Sequence, residues 1–356
     1  MKWKIYICSI QIMRIYKEYQ AYLLFPLAML YWGLVYWRNL FYKYGFFITN
    51  RLQCHVISVG NITVGGTGKT PTVLFLARYL QNNGKKVGVL SRGYGRSTKG
   101  TLLVSDGTGP KISWEESGDE PYLISKKLDQ VPVVVDEDRF RGGAFLMQQF
   151  NPDIILLDDG FQHRGLERDL DFVLVNSGDI ISDHKLLPYG FLREPWINIS
   201  RGHAVILTKT NLKKPKPFLR RKLRESKLPV LQSTFEPSIS SLSPETPETT
   251  KKRKVFIVSA IGDAAGFNKT VKNMGCIIVG EKIFPDHFNY SQTNWKNVEA
   301  LSTGADYIIT TEKDWVKIES FSISKPIIVI EINVKILPQE ILENLLKDYC
   351  GIHFLN

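Results

Sequence analysis

The sequence predicts an α/β fold: two α/β/α sandwich units with mainly parallel sheets, preceded by a hydrophobic helix. Three observations predict it. Short β-rich runs recur along the chain, and their apolar residues are continuous rather than alternating, as in strands buried on both faces. Helical stretches separate those runs, the order that gives a parallel sheet covered on both sides. Apolar residues make up 44% and charged residues 23% of the 356 positions, which supports a sizeable core and excludes a disordered chain. That length suits one large domain or two ordinary ones.

The elements follow in order. His55–Val59 is the first expected strand; a Gly-rich turn and a helix over Lys69–Asn82 come next. Further strands are expected at Val87–Leu90, Val131–Val135, Ile154–Leu157, Phe172–Val175 and Ala204–Thr208. Val255–Ser259, Tyr307–Thr310 and Pro326–Ile330 continue the pattern, and Tyr122–Leu128 reads as helical. The stretch Ser238–Lys254 is rich in Pro, Ser and Thr, lacks apolar periodicity and reads as an exposed loop.

The formal charge is +11, concentrated in two places. Residues 1–51 carry a net +6 and residues 211–228 a net +7, leaving the remainder slightly acidic. Basic patches suit nucleic acid, anionic lipid or a phosphorylated substrate, and a solvated surface is the bland reading of 211–228. No zinc-finger or RRM signature supports nucleic acid. Cys8, Cys54, Cys276 and Cys350 are isolated, with no CxxC pair. This fits a reduced compartment and no cysteine-held zinc.

Ala21–Trp37 contains seventeen residues without a charge, marginal for a span, which takes roughly 20. Pro26 interrupts it, and Tyr, Trp, Lys17 and Arg38 gather at its ends as interfacial anchors do. Ile5–Tyr16 is also apolar with scattered basic residues. Membrane attachment is expected, either as a shallow helix in one leaflet or as a span. A buried core helix is the competing reading.

Val56–Pro71 reads VISVGNITVGGTGKTP. A buried strand ending in a Gly-rich turn with a helix opening at GKT is the context of a P-loop. Its backbone N–H groups and the helix N-terminus close around phosphate oxygens. Gly65, Gly66, Thr67, Gly68, Lys69 and Thr70 are the nucleotide-binding candidates. Lys69 would reach the β- and γ-phosphates of ATP, and the Thr70 hydroxyl would bind Mg²⁺. Thr63 stands where GxxxxGK[ST] has its first Gly, and Val64 where partition-type ATPases carry a signature lysine.

A P-loop enzyme needs a carboxylate at the end of a buried strand to hold Mg²⁺. Asp158 and Asp159 leave the Ile154–Leu157 run together, ahead of Gly160, Gln162 and His163. In SGDEP (Ser117–Pro121), Asp119 and Glu120 read alone as helix-start residues. Beside a P-loop they are also candidates for Mg²⁺ binding and for a general base.

GNITVGGTGKTP, LSRGYGR (Leu90–Arg96), GDEP, DDGFQHR, LREP (Leu192–Pro195), FPDHF (Phe284–Phe288) and TEKD (Thr311–Asp314) occur in one order over residues 55–315. This set resembles the tetraacyldisaccharide 4′-kinase family, in which Thr for the first P-loop Gly is characteristic. The resemblance implies a P-loop NTPase-type core and a cleft between two units. It implies a phosphotransferase with an alcohol acceptor, moving the ATP γ-phosphate to the 4′-hydroxyl of a tetraacyl glucosamine disaccharide 1-phosphate in lipid A biosynthesis. By motif, Asp119 is the implied general base, assisted by His287, with Lys69 the third catalytic residue. Thr70, Glu120, Asp158 and Asp159 are the implied Mg²⁺ candidates, and His163 and Arg193 the candidate substrate contacts. The expected division is 1–42 membrane-associated, 43–176 kinase core and 177–356 second unit, with a loop at 237–254 and a C-terminal end that can return to the core. SAIGDAAGF (Ser259–Phe267) departs from the family, which favours Asn-Pro where Asp263-Ala264 stands.

The expected partners are the acylated lipid substrate and a membrane surface, with no nucleic acid and no obligate protein partner. The expected place is the cytoplasmic face of the bacterial inner membrane. The alternative is a membrane-associated P-loop ATPase acting as a switch or positioning protein, against which Val64 argues.

Overall fold

The structure, a computed structural model, describes residues 24–246 and 250–352. Helix α1 spans 24–43. The first half then runs β1 (His55–Asn61), α2 (Lys69–Asn82), β2 (Val87–Ser91), β3 (Leu102–Ser105), α3 (Trp114–Ser117), α4 (Asp119–Lys127), β4 (Val133–Val135), α5 (Arg139–Phe150), β5 (Ile154–Asp158) and β6 (Leu170–Asn176). It continues through β7 (Ala204–Thr208), α6 (Pro217–Ser226) and β8 (Val230–Ile239). The rest is β9 (Lys254–Ser259), α7 (Ala264–Asn273), β10 (Ile277–Ile283), α8 (Gln292–Leu301), β11 (Tyr307–Thr311), α9 (Glu312–Ile318), β12 (Ile327–Leu337) and α10 (Gln339–Cys350).

The described strands form one sheet of twelve, in the order β10-β9-β11-β12-β8-β7-β6-β1-β5-β2-β4-β3. Neighbours pair in parallel except at the β3–β4 edge and at β8–β12. The β8–β12 seam joins strands β9 to β12 to the rest of the sheet in a continuous surface, eight residue pairs long from Ile330–Ile239 to Leu337–Gln232. The sheet passes unbroken through residues 176/177, where β6 and β7 pair in parallel.

The central strands are buried end to end, as their continuous apolar runs require: Ile154–Asp158 and Ala204–Thr208 have no exposed residue. Helix α2 packs Val73, Leu76, Ala77 and Leu80 on this sheet, a spacing of three and four that puts them on one face. The C-terminal helix α10 packs Leu342, Leu345 and Leu346 into the same core as Ile57, Leu170 and Phe172. A second core lies around Trp295, Phe256 and Ile308, under the β9–β12 half.

Three strands were not expected from the sequence. β3 and β10 are edge strands whose apolar runs are only three residues long, Leu102–Val104 and Ile277–Val279, and β10 is largely exposed. β8 alternates buried and exposed residues over most of its length and pairs antiparallel with β12. The expected loop at 237–254 is corrected at its start. Pro237, Ser238 and Ile239 belong to β8, facing Ile332, Glu331 and Ile330. Its polar composition hid the strand, because Ser238 and Ser240 spend their hydroxyls on Glu331 and Glu312. Residues 247–249 of that stretch lie outside the described residues, as do 1–23, which hold Ile5–Tyr16 and the start of the apolar run.

Helix α1 buries only a thin stripe, Ala28 and Val35, seven residues apart. Phe25, Leu30, Leu34, Trp37 and other large apolar side chains on it are exposed. It is held to the body by polar contacts: the Tyr31 hydroxyl donates to the Arg193 carbonyl (2.6 Å), and Arg38 pairs with Glu194 at 3.2 Å. Among the described residues no helix is long and apolar enough to cross a membrane.

Candidate active site

Strand β1 delivers the chain into the phosphate loop at the carboxyl edge of the sheet. The loop is braced from outside: Val64 N–H donates to the Phe191 carbonyl (2.8 Å), and Arg193 N–H donates to the Ile62 carbonyl (2.8 Å). Thr63, in the usual glycine position, is buried and bridges to Leu192 in this arrangement. Asn61 Nδ2 donates to the Thr67 hydroxyl at 2.9 Å. Gly65 (φ +112°) and Gly68 (φ +91°) take left-handed backbone, which a side chain would resist. Gly68 is the N-cap of α2, so the helix opens with Lys69 and Thr70 at the loop's mouth.

A cavity of about 560 Å³ lies over this loop. Gly65, Gly66, Thr67, Gly68, Lys69, Thr70, Glu120, Asp159, Arg193 and His287 all line it. Residues from both ends of the sheet therefore meet at one place. Asp119 stands just behind the wall and His163 does not line it. The His163 ring is half-buried, and burial, with Arg139 and Arg168 nearby, pushes it down to about 4.

Lys69 Nζ stands 3.8 Å from Asp159 Oδ1, close enough for attraction but beyond a hydrogen bond. Arg193 Nη1 donates to both Asp159 oxygens (3.0 and 2.9 Å) and to Gln162 (3.1 Å). Burial works to raise the Asp159 carboxyl, but Lys69 and Arg193 outweigh it and hold it below its usual value. Its neighbour Asp158 is wholly buried and shifted the other way, by burial first and then by Glu120. Asp158 Oδ2 accepts from the Ser91 hydroxyl (3.2 Å), while Oδ1 has no partner among the described residues. An orphaned carboxylate oxygen in such a place is costly unless a cation completes it. The expected Mg²⁺ donors Asp158, Asp159, Glu120 and Thr70 all offer oxygen, the ligand type Mg²⁺ takes, and the Asp158 orphan is the observation that points to a cation.

The second cluster centres on Asp119, at the first turn of α4, after Gly118 (φ +93°). Its Oδ2 accepts from His287 Nδ1 (3.0 Å) and pairs with Lys317 Nζ at 2.9 Å. Its Oδ1 accepts from the Glu120 N–H at 2.9 Å. Lys313 Nζ donates to His287 Nε2 (3.1 Å) and to Glu120 (3.0 Å). A lysine ammonium has only donors, so Nε2 is the acceptor and the ring proton sits on Nδ1, facing Asp119. Burial favours protonating Asp119. The His287 hydrogen bond and the Lys313 and Lys317 charges overcome this and hold the carboxyl far below its usual range.

Asp159 (φ +53°) and His287 (φ +59°) both hold left-handed backbone without being glycine. Such strain gathers where a side chain must be aimed. The Tyr94 ring meets the His287 ring edge-on at 5.2 Å, closing the dyad from one side.

Sequence reasoning missed Lys313, Lys317, Glu194 and Lys209. The two α9 lysines lie four residues apart on one helical face, but nothing in the chain announces that α9 lies against α4. Glu194, beside Arg193, is wholly buried and pairs with Arg201 (2.8 Å) and Arg38. Adjacent residues of LREP thus serve opposite sides, Arg193 the cavity and Glu194 the seat of α1. Among the described residues no group of three or more His, Cys, Asp and Glu is placed to hold a metal ion.

Comparison with known proteins shows the family. Residues 20–350 match the family model described as tetraacyldisaccharide-1-P 4′-kinase. The tetraacyldisaccharide 4′-kinase of Aquifex aeolicus is 38% identical over 327 residues, 91% of this chain and 97% of that protein. The Chlorobaculum parvum protein of the same name is 39% identical over 305 residues, 84% of each chain. A crystal structure of the Aquifex aeolicus protein, in complex with ATP, superposes with a TM-score of 0.76 at 36% identity, covering 93% of this chain and 99% of that one. The chain belongs to the tetraacyldisaccharide-1-P 4′-kinase family, and it is a kinase.

Proposed function

We propose that this kinase binds ATP at the Gly65–Thr70 loop and transfers its γ-phosphate to the 4′-hydroxyl of a tetraacyl glucosamine disaccharide 1-phosphate. The observation that carries the proposal is the Asp119–His287 pair, whose histidine lines the same cavity as the phosphate loop. A P-loop alone suits many nucleotide proteins. A carboxylate beside it, ionised and oriented by a neutral histidine, suits one that deprotonates an alcohol.

Lys69 lies on Asp159 in the free protein and turns to the β- and γ-phosphate oxygens when ATP is bound, neutralising charge as the phosphoryl group leaves. Asp158, Asp159, Glu120 and Thr70 would hold Mg²⁺, which would supply charge neutralisation for the transferring phosphoryl group. Asp119 takes the hydroxyl proton. A carboxylate held this low is a weak base, which is adequate where the transition state is loose and the nucleophile's proton leaves late. His287 donates to Asp119 Oδ2 and keeps it aimed, while Lys313 keeps the ring in the tautomer that can do so. Arg193 holds Asp159 in place, and His163, neutral and set back from the cavity, is a contact for the sugar or its acyl chains.

The experiment is incubation with labelled ATP and a tetraacyl disaccharide 1-phosphate, followed by mass analysis. One added phosphate on the distal sugar is expected. Stoichiometric phosphate release with no phosphorylated lipid would instead favour a switch-type ATPase.

The exposed apolar face of α1 supports attachment to a membrane surface, at the cytoplasmic face of the inner membrane where acylated substrate and ATP meet. Deletion of residues 1–43 is expected to abolish sedimentation with phospholipid vesicles while leaving the body folded. If the shortened chain still sediments, attachment lies elsewhere, and the basic 211–228 segment is the next to test.

A further inference from the structure

Lys209 follows directly on β7, and nothing above gives it a role. It holds a left-handed φ of +60°, and its side chain is only 10% exposed. We propose that Lys209 is a positioning residue for the nucleotide: it latches the phosphate loop to the Gly262–Asp263 turn and holds that loop ready to receive phosphate. The inference rests on the reading of this loop as the ATP site.

Lys209 Nζ donates to the Gly66 carbonyl at 2.8 Å and pairs with the Asp263 carboxylate. Its ammonium stands 5.8 Å from the centre of the Phe235 ring, so charge and stem are sheltered from water. Asp263 is itself fixed, because its other oxygen accepts from the Gly266 N–H (3.0 Å) and caps α7. Loop and turn also touch. A Cβ added at Gly262 would fall 3.1 Å from Gly66 N, and one at Gly66 would fall 3.5 Å from Asp263 Cβ.

A loop with glycine at 65, 66 and 68 has large backbone freedom, which binding must remove. Lys209 removes part of it before the ligand arrives, and preorganisation of this kind appears as affinity. It also sets direction. A trans peptide is planar with its C=O and N–H opposed, so holding the Gly66 carbonyl turns the Thr67 N–H the other way. That N–H now donates to the Gly65 carbonyl at 2.9 Å. A phosphate oxygen can take over the donor without rotation of the peptide.

The test is calorimetric titration of the full chain with Mg·ADP, beside steady-state kinetics with ATP. Lys209→Met is expected to weaken Mg·ADP binding about tenfold, the scale of a lost charged hydrogen bond. KM for ATP should rise while kcat changes by less than about threefold, because Asp119 and His287 are untouched. Lys209→Arg should restore part of the affinity, and Asp263→Asn should fall between. Wild-type affinity in Lys209→Met overturns the proposal. So does a loss of affinity that merely follows a lowered unfolding midpoint in all three variants. Should Lys209→Met fail to fold, Asp263→Asn, which keeps an oxygen for the α7 cap, decides, and unchanged affinity there overturns it. If the wild-type chain itself fails to bind Mg·ADP, the nucleotide reading falls and the latch with it.

Discussion

Lys69→Ala is expected to abolish turnover, lowering kcat by at least about 10³-fold, the upper end for loss of a single oriented donor at a developing charge. The reason lies in its surroundings. Lys69 stands 3.8 Å from Asp159, beyond the hydrogen-bonded Arg193, and Asp158 also feels its charge. Removing it takes a positive charge from the γ-phosphate and also leaves buried Asp158 and half-buried Asp159 less compensated, so Mg²⁺ and phosphate are both held worse. At 3.8 Å the ammonium is not tied to Asp159 by a hydrogen bond, so no strong contact opposes its turning to the nucleotide. The check is single-turnover phosphorylation of the lipid at saturating ATP. A variant retaining full activity would remove the basis for treating residues 65–70 as the phosphate site.

The second large effect is expected at Asp119. Asp119→Ala should cut kcat by about 10²–10⁴-fold, the range for general-base catalysis, while KM for ATP stays within a few-fold. An effect confined to KM would make Asp119 a binding residue. The alanine variant carries a folding risk. Lys317 is almost wholly buried and pairs with Asp119 at 2.9 Å, and stranding such a charge costs about 3–5 kcal/mol. Asp119→Asn is therefore the cleaner variant. It keeps the shape and an oxygen for His287 or Lys317 but is no base. If Asn lowers kcat as far as Ala while the unfolding midpoint holds, proton transfer is the lost function.

The two predictions differ in where their evidence came from. The site around Lys69 was legible in the chain because it is local. Strand, glycines, Lys and helix follow one another within sixteen residues, and their geometry is set by backbone conformation at Gly65 and Gly68. Likewise, Asp158 and Asp159 were visible as the end of a buried apolar strand. The pairing of Asp119 with His287 was available only through family resemblance, since 168 residues separate them. Lys313 was visible only as a letter of the TEKD motif, with no role attached, and Lys317 and Lys209 were not available at all. A lysine in a polar helix or at a strand end looks like a solvated charge until a neighbour from a distant segment covers it.

The strands divided in the same way. β5 and β7 were legible because burial on both faces demands an unbroken apolar run. β3, β8 and β10 were not, since an edge or an antiparallel partner relaxes that demand, and in β8 serines supplied hydrogen bonds where apolar residues would otherwise stand.

By itself, the sequence determined that this is an α/β protein with a phosphate loop, a carboxylate pair at a strand end and an exposed-looking apolar N-terminal helix, because each is written in consecutive residues. Only the tertiary structure decided that β8 and β12 join the halves into one sheet, that α4 meets α9 so that two lysines hold Asp119 ionised, and that Lys209 reaches Gly66. Those are contacts between segments far apart in the chain. Their free energy comes from burial and charge pairing that exist only once the sheet has brought the segments together.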